Sequence, residues 1–243
     1  MRNNKVLKTG ITELDERLGG GISSNSIVLL SFHTGTTFLE FTEWRIYKQL
    51  ENPHIVLVNF THPTLEFIDR ANVRSVMDSE DTKRHEEEFF TVVDCFTQES
   101  ETIQKIDYGS IYQVSYPFDT DKLYSTIKKV REGLENRKVV WVFDSLTDLS
   151  IGVSEEDLAK FCRRAFRLHK NHKDLAFYLL NMEAHSNKLF AIITQLVDIV
   201  INFKIEEKED RLRNYLQVIK GVYPIDTRKL YYEANKDREA IFY

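Results

Sequence analysis

The chain has 243 residues, of which 42% are hydrophobic and 12% aromatic, and its formal net charge is -5 at pH 7. This composition suffices for one large core, so we predict a single domain over residues 1–243. The acidic balance argues against broad nucleic-acid binding, and no apolar run approaches the roughly 20 residues that span a bilayer. We therefore expect a cytoplasmic protein, in which Cys95 and Cys162 are reduced core thiols.

The first third of the chain alternates predicted helices and strands. A short helix capped by Thr12 precedes a wholly apolar strand at Ile27–Leu30. A loop at 34–37 and a helix to about Leu50 follow it. A second strand at Ile55–Phe60 leads to another helix, which begins at Pro63.

The middle of the chain opens with the charged run DSEDTKRHEEE at 78–88, which predicts a mobile solvated loop. A third strand is expected at Phe89–Cys95, and the polar stretch 97–110 is expected to be irregular, with a short strand after it. Asp119 introduces an amphipathic helix, in which apolar residues recur at helical spacing.

The last part of the chain begins with the apolar strand Val139–Phe143, which ends at Asp144. A long helix capped by Ser154 follows, then a buried strand and a helix. We expect His169 and His172 to mark a solvated helix end rather than a metal site. Residues 199–243 predict antiparallel hairpins on one edge of a parallel sheet.

The stretch Ser26–Phe41, SIVLLSFHTGTTFLEF, predicts a strand, a tight loop and a helix. Parallel α/β sheets bind phosphates at such a junction. A phosphate loop requires glycines for close backbone approach and a lysine for the terminal phosphates. This loop contains Gly35 but no lysine, so it has the frame of a nucleotide site without its main charge.

Several short motifs, taken in order, resemble the RecA-like ATPases of the KaiC type. The first motif combines TGI at 9–11, LD at 14–15 and GGGI at 19–22. The others are VLVNFTHPTLEFI at 56–68, VVDCFT at 92–97, VVWVFDSLTDL at 139–149 and QVIK at 217–220. The resemblance covers nearly the whole chain. It implies an α/β fold with a mostly parallel central sheet, flanking helices and C-terminal hairpins.

The family's catalytic positions are altered in this chain. With a two-residue deletion in the loop, the resemblance places Gly35, Thr36 and Thr37 where the family has glycine, lysine and threonine. Without the deletion, the lysine position falls on Thr37. Both alignments lose the cation. Thr61 and His62 stand in place of the paired glutamates that activate water. Lys220 is kept from the lysine-x-arginine that reaches the neighbouring subunit, whereas Val222 replaces the arginine.

Asp144 is the remaining family position, and two interpretations of it stay open. The resemblance implies that this carboxylate holds magnesium through water. The alternative is that Asp144 caps the following turn together with Ser145.

These losses predict a RecA-like core that does not hydrolyse ATP, with weak nucleotide binding or none. We expect a protein-binding, assembly or regulatory subunit that contacts itself, a RecA-like paralogue or a peptide segment of another protein, and nucleic acid is not expected. No cofactor is required, although weak binding of ATP and magnesium is compatible with the remnant pocket. The alternative is a KaiC-like ATPase that uses a displaced lysine, or one supplied in trans by a neighbouring subunit, with Lys48 and Lys220 as the candidates. Such an ATPase would act in a recombination, repair or regulatory complex.

Overall fold

A computed structural model describes residues 6–36, 53–64, 89–97, 103–106, 109–208, 211–234 and 240–242. The chain divides into two compact units, one formed by Met1–Glu51 with Phe166–Tyr243 and the other by Asn52–Ala165. The single-domain organisation stays a prediction. The expected helices after the phosphate loop and after Pro63, and the charged run 78–88, lie outside the described residues.

The described elements are strands and helices, numbered here in chain order. The strands are β1 (Val6–Leu7), β2 (Ile22–Ser23), β3 (Ile27–Phe32), β4 (His54–Asn59), β5 (Phe90–Asp94), β6 (Ile103–Ile106), β7 (Gly109–Gln113), β8 (Val139–Asp144), β9 (Leu175–Asn181), β10 (Ile199–Lys208), β11 (Arg211–Lys220), β12 (Leu230–Ala234) and β13 (Ala240–Phe242). The helices are α1 (Thr12–Arg17), α2 (Thr120–Glu132), α3 (Leu146–Leu149), α4 (Glu155–His172) and α5 (Asn187–Leu196).

In the first unit, β3 lies between β9 and β10 and runs parallel to both. Strands β10 to β13 then pair antiparallel in succession, which confirms the predicted C-terminal hairpins. Ile27–Leu30 of β3 are fully buried, as their continuous apolar sequence predicts for a strand covered on both faces. The end of β3 therefore holds the following loop on a rigid support.

In the second unit, β4 runs parallel to β8 on one side and to β5 on the other, and β5 runs parallel to β7. Parallel strands place their carboxyl ends at one edge. There Asn59 lies opposite both Asp144 and Asp94 in register. The polar residues that end these three buried strands therefore lie side by side at this edge.

Irregular structure is expected from the sequence at 97–110. This is wrong at 103–106 and 109–110, because β6 pairs antiparallel with β7. The β6 strand is exposed at three of its four residues and so lacks the apolar alternation that identifies a strand. Gly109 makes the close pairing of β7 with β5 possible, since a Cβ at this position would lie 1.7 Å from the carbonyl oxygen of Phe90.

Of the two predicted helix caps, Ser154 is confirmed and Thr12 is wrong, and Asp119, which was predicted to introduce α2, is its N-cap. The Asp119 carboxylate accepts from the backbone N–H groups of α2, and the Ser154 hydroxyl accepts from Asp157 N at the start of α4. Thr12, however, is the first residue of α1, and Ile11 is its N-cap without a side-chain hydrogen bond. Nearby, the buried Asp15 carboxylate instead accepts from Thr9 N at 2.8 Å.

The expected solvated helix end at His169 is wrong. Lys173 adopts a φ of 59°, and the chain turns there from α4 into β9. This turn brings the His169 ring, 1% exposed, to within 2.8 Å of the Tyr178 hydroxyl and 3.6 Å of Asp174. Among the described residues, no group of three or more potential ligands is arranged for a metal ion.

Both cysteines are buried free thiols, as predicted. Burial raises the pKa of each thiol above its ordinary value, so both stay protonated near neutral pH. Of the helices that the structure describes, none combines the length and the apolar character needed to cross a membrane.

Candidate functional site

The predicted site residues are divided between the two units. Gly35, Thr36, Lys220 and Val222 belong to the first, and Thr61, His62, Asp144 and Ser145 to the second. Thr37 and Lys48 lie outside the described residues.

The loop after β3 is a tight turn. Gly35 adopts a φ of +87°, a conformation that glycine accepts without strain. Thr36 closes the turn, because its backbone N–H and its hydroxyl both donate to the carbonyl of His33, at 3.2 and 2.8 Å. The Thr36 hydroxyl is therefore committed to the protein's own backbone.

A carboxylate from the end of β9 binds this loop. The backbone N–H of Thr34 donates to Glu183 Oε2 at 2.9 Å, and Asn181 Nδ2 donates to the Thr34 hydroxyl at 3.0 Å. The hydrogen bond from the Thr34 N–H is the main cause that lowers the pKa of Glu183. Glu183 thus stays ionised and places a negative charge on a loop whose fold usually receives phosphate.

Sequence reasoning missed Glu183 and Asn181. Their only sequence signal is that they follow a buried strand, because the carboxyl ends of adjacent parallel strands meet at one edge. The contact depends on the parallel pairing of β3 with β9, in which Phe32 lies opposite Asn181.

In the second unit, Asp144 ends β8 beside Thr61. The Thr61 hydroxyl donates to Asp144 Oδ2 at 3.1 Å. Burial raises the pKa of Asp144 to about 6, the hydrogen bond from Thr61 lowers it, the charge of Asp148 raises it and His62 lowers it. The carboxylate is therefore mostly ionised at neutral pH, although its surroundings stabilise the neutral form.

The capping interpretation holds for Ser145 but not for Asp144. The Ser145 hydroxyl accepts from Asp148 N at 3.2 Å and also contacts the Asp148 carboxylate, so Ser145 is the N-cap of α3. The Asp144 side chain instead turns toward Thr61. The magnesium role of Asp144 stays a prediction.

Asn59 shapes the loop that carries Thr61 and His62, the residues predicted to stand in place of the family's glutamates. Its Oδ1 accepts from the backbone N–H groups of Thr61 and His62, and its Nδ2 donates to the carbonyl of His62. His62 itself is exposed at the turn before Pro63, the structural position that we expected for it. No carboxylate stands at either position to orient an attacking water.

Lys220 binds its own chain. Its ammonium group donates to three backbone carbonyls at the end of α5, those of Thr194, Gln195 and Val197, at 2.8, 3.2 and 2.6 Å. A cation suits this position because helix carbonyls there are unpaired and the helix dipole is negative. Val222, at the family's arginine position, is 47% exposed and carries no charge.

The loop after β3 by itself fits a triphosphate poorly. Residues 33–37 include no lysine or arginine, and one loop amide already donates to Glu183. The side chain of Asp144 is suited to holding a cation through water, as an ionised oxygen ligand. The Thr36 hydroxyl, by contrast, is used by the turn itself.

Comparisons with known proteins agree with this fold. The family model described as "ATPase: KaiC" matches residues 7–236. The UPF0273 protein MK0039 of Methanopyrus kandleri is 30% identical over 222 residues, which cover 88% of this chain and 82% of that protein. The UPF0273 protein MJ1359 of Methanocaldococcus jannaschii is 31% identical over 151 residues, 60% of this chain and 58% of that protein.

Among solved structures, the crystal structure of the KaiC-like protein PH0186 from Pyrococcus horikoshii OT3 is similar, with a TM-score of 0.72. It is 18% identical and the match covers 98% of this chain and 99% of that one. This likeness supports the RecA-type α/β fold that the motifs predict. Because the family model matches almost the entire length of the chain, the chain belongs to the KaiC family of ATPases.

Proposed function

We propose that this KaiC-family protein does not hydrolyse ATP and acts as a protein-binding, assembly or regulatory subunit. Its partners are a second copy, a RecA-like paralogue or a peptide segment of another protein, and its compartment is the cytoplasm. Nucleotide binding is weak or absent.

The contact between Glu183 and the loop carries this proposal. The carboxylate takes a backbone N–H that a phosphate oxygen would need, and it repels the phosphate. The repulsion is weak, because the Glu183 side chain is 51% exposed and solvent and salt screen its charge.

The missing loop lysine weakens binding further. A charge-assisted hydrogen bond to phosphate contributes about 1.5–3 kcal/mol, so its loss reduces affinity roughly ten- to a hundredfold. Together with the Glu183 charge, this places ATP affinity well below that of a working phosphate loop.

Hydrolysis depends on further groups that this chain lacks. Thr61 and His62 provide no carboxylate for water activation, and Val222 provides no cation for the transition state. A trans arginine accounts for about three to five powers of ten in rate in related enzymes. Weak binding of ATP is compatible with these losses, but turnover is not.

ATP hydrolysis by the purified protein tests the proposal. We expect no phosphate release above that of a matched Asp144→Ala variant, with or without magnesium. Activity that Asp144→Ala abolishes would refute the proposal, because it would show a working site that includes this carboxylate.

The second candidate is an ATP-binding ATPase with a displaced lysine, acting in a recombination, repair or regulatory complex. The family description and the ionisable Asp144 favour it. The three carbonyl contacts of Lys220 count against that lysine as the donor. Thermal unfolding with magnesium and ATP separates the two, since ligand at 100 times its Kd stabilises a protein by about 2.7 kcal/mol.

A further inference from the structure

One face of the C-terminal hairpins carries an unusual concentration of positive charge. Register pairs Lys204 with Tyr215, Glu206 with Arg213, Lys208 with Arg211 and Tyr215 with Tyr231. Residues directly opposite each other in an antiparallel pair point to the same side of the sheet. We define the basic face as the residues on this side, namely Lys204, Glu206, Lys208, Arg211, Arg213, Tyr215, Lys229, Tyr231 and Glu233.

The basic face is positive on a protein that is negative as a whole. Its described residues, which leave out residues 209 and 210, include five cations and two carboxylates, whereas the whole chain carries -5. One of the carboxylates, Glu206, is already bound by Lys229 and by the Tyr231 hydroxyl. The face therefore presents an excess of positive charge to a partner.

Two of these cations, Lys204 and Arg211, form no ion pair with the residues that the structure describes. Lys208 Nζ lies 5.9 Å from the ring centre of Tyr231, and its charge also helps to lower the pKa of Glu206. Lys208 and Arg211 are exposed at the end of the hairpin, and Lys204 is half-buried. Their charges are available for an intermolecular contact.

The tyrosines of this face are not open for stacking. Lys229 Nζ lies 4.4 Å from the ring centre of Tyr215, whose ring is itself buried, and Lys208 lies over Tyr231. Nucleic-acid single strands bind to positively charged surfaces through exposed aromatic planes. Because ammonium groups cover these rings, the basic face offers charge without a stacking platform.

The hairpin also projects past its neighbour in the sheet. Strand β10 pairs with β3 from Ile199 to Phe203. From Lys204 to Lys208, its one partner strand among the described residues is β11. Arg211 and Arg213 occupy alternate positions on β11, about 7 Å apart along the strand. An extended peptide repeats its own alternate side chains at the same interval.

We propose that the basic face docks an extended acidic segment of a partner protein, with Asp or Glu at alternate positions. This inference rests on the proposed protein-binding role and gives the chemistry of the partner. It does not depend on whether the loop after β3 binds a nucleotide.

Fluorescence anisotropy with a labelled ten-residue poly-glutamate peptide at low salt tests this assignment. We compare the wild type with Lys204→Glu/Arg211→Glu and with a control, Lys8→Glu/Lys188→Glu, that changes the net charge equally at exposed sites. The face variant should bind about tenfold more weakly or worse, and the control should change affinity less than about twofold. Higher salt should weaken wild-type binding.

Four results overturn the proposal. The first is no wild-type binding at about 1 mM peptide, and the second is an equal loss of peptide affinity in both variants. The third is tighter binding of a single-stranded oligo-dT than of the peptide. The fourth is salt-dependent self-association of the protein that the face variant alone abolishes. The last result makes a second copy the occupant. ATP hydrolysis would refute the proposed lack of catalysis and leave this test standing, so the two failures are distinguishable.

Discussion

Asp144 should make the folded protein less stable at neutral pH than an uncharged side chain of the same shape. Burial raises its pKa from 3.8 to about 6, so the folded state binds a proton more tightly than the unfolded state between these values. The stability contributed by the protonated form is complete below about pH 4 and is lost as the pH rises to about 6. A difference of about two pKa units corresponds to about 3 kcal/mol, which we take as an upper limit.

Asp144→Asn removes this titration and keeps an oxygen that accepts from the Thr61 hydroxyl. We expect the variant to be more stable than the wild type by about 1–3 kcal/mol at pH 7.5, and equally stable at pH 4. Urea unfolding followed by circular dichroism at several pH values measures the difference. Asp157→Asn is a control of opposite sign, because a hydrogen bond from Ser154 lowers the pKa of Asp157.

A lower free energy of unfolding for Asp144→Asn than for the wild type at pH 7.5 would refute this prediction. A difference in unfolding free energy that does not change with pH would refute it as well. A second variant, Thr61→Val, checks the cause. It removes the hydroxyl that stabilises the ionised carboxylate, so the protein should lose stability at pH 7.5 but not at pH 4.

Two further predictions concern the first unit. Glu183→Gln removes the charge on the loop, so ATP affinity measured by isothermal titration should rise by a small factor. Unchanged or weaker binding would contradict this. Lys220→Met removes three hydrogen bonds at the end of α5 and should lower the free energy of unfolding by about 2 kcal/mol, whereas the exposed Lys188→Met should leave it unchanged. Equal stability of both variants would show that Lys220 does not hold the helix end.

The elements that sequence predicted well are those with a strong local pattern. The continuous apolar runs of β3 and β8 identified strands buried on both faces, and Ser154 identified the start of α4. These signals lie within a few residues of one another. The strand β6 has no such signal, because its exposed polar residues lack an apolar period, and it forms through pairing with β7.

The candidate site was less predictable, because its contacts join residues far apart in sequence. Thr34 and Glu183 are separated by 149 positions and meet only because β3 pairs with β9. The three carbonyls that bind Lys220 end a helix more than 20 residues earlier. Motif comparison predicts which family residues this chain lacks, whereas the partners of Thr34 and Lys220 became known only from the folded structure.

Two of the three polar residues at the carboxyl edge of the second unit hydrogen-bond the local backbone. Asn59 hydrogen-bonds the turn that carries Thr61 and His62, and Asp94 accepts from the backbone N–H groups of Phe96 and Thr97. Both side chains satisfy local backbone groups that would otherwise be unpaired. Asp144 differs from them, because its ionised form is held by one hydroxyl and opposed by burial. Asp144 therefore costs stability and closes no turn, whereas Asn59 and Asp94 at the neighbouring strand ends serve the fold directly.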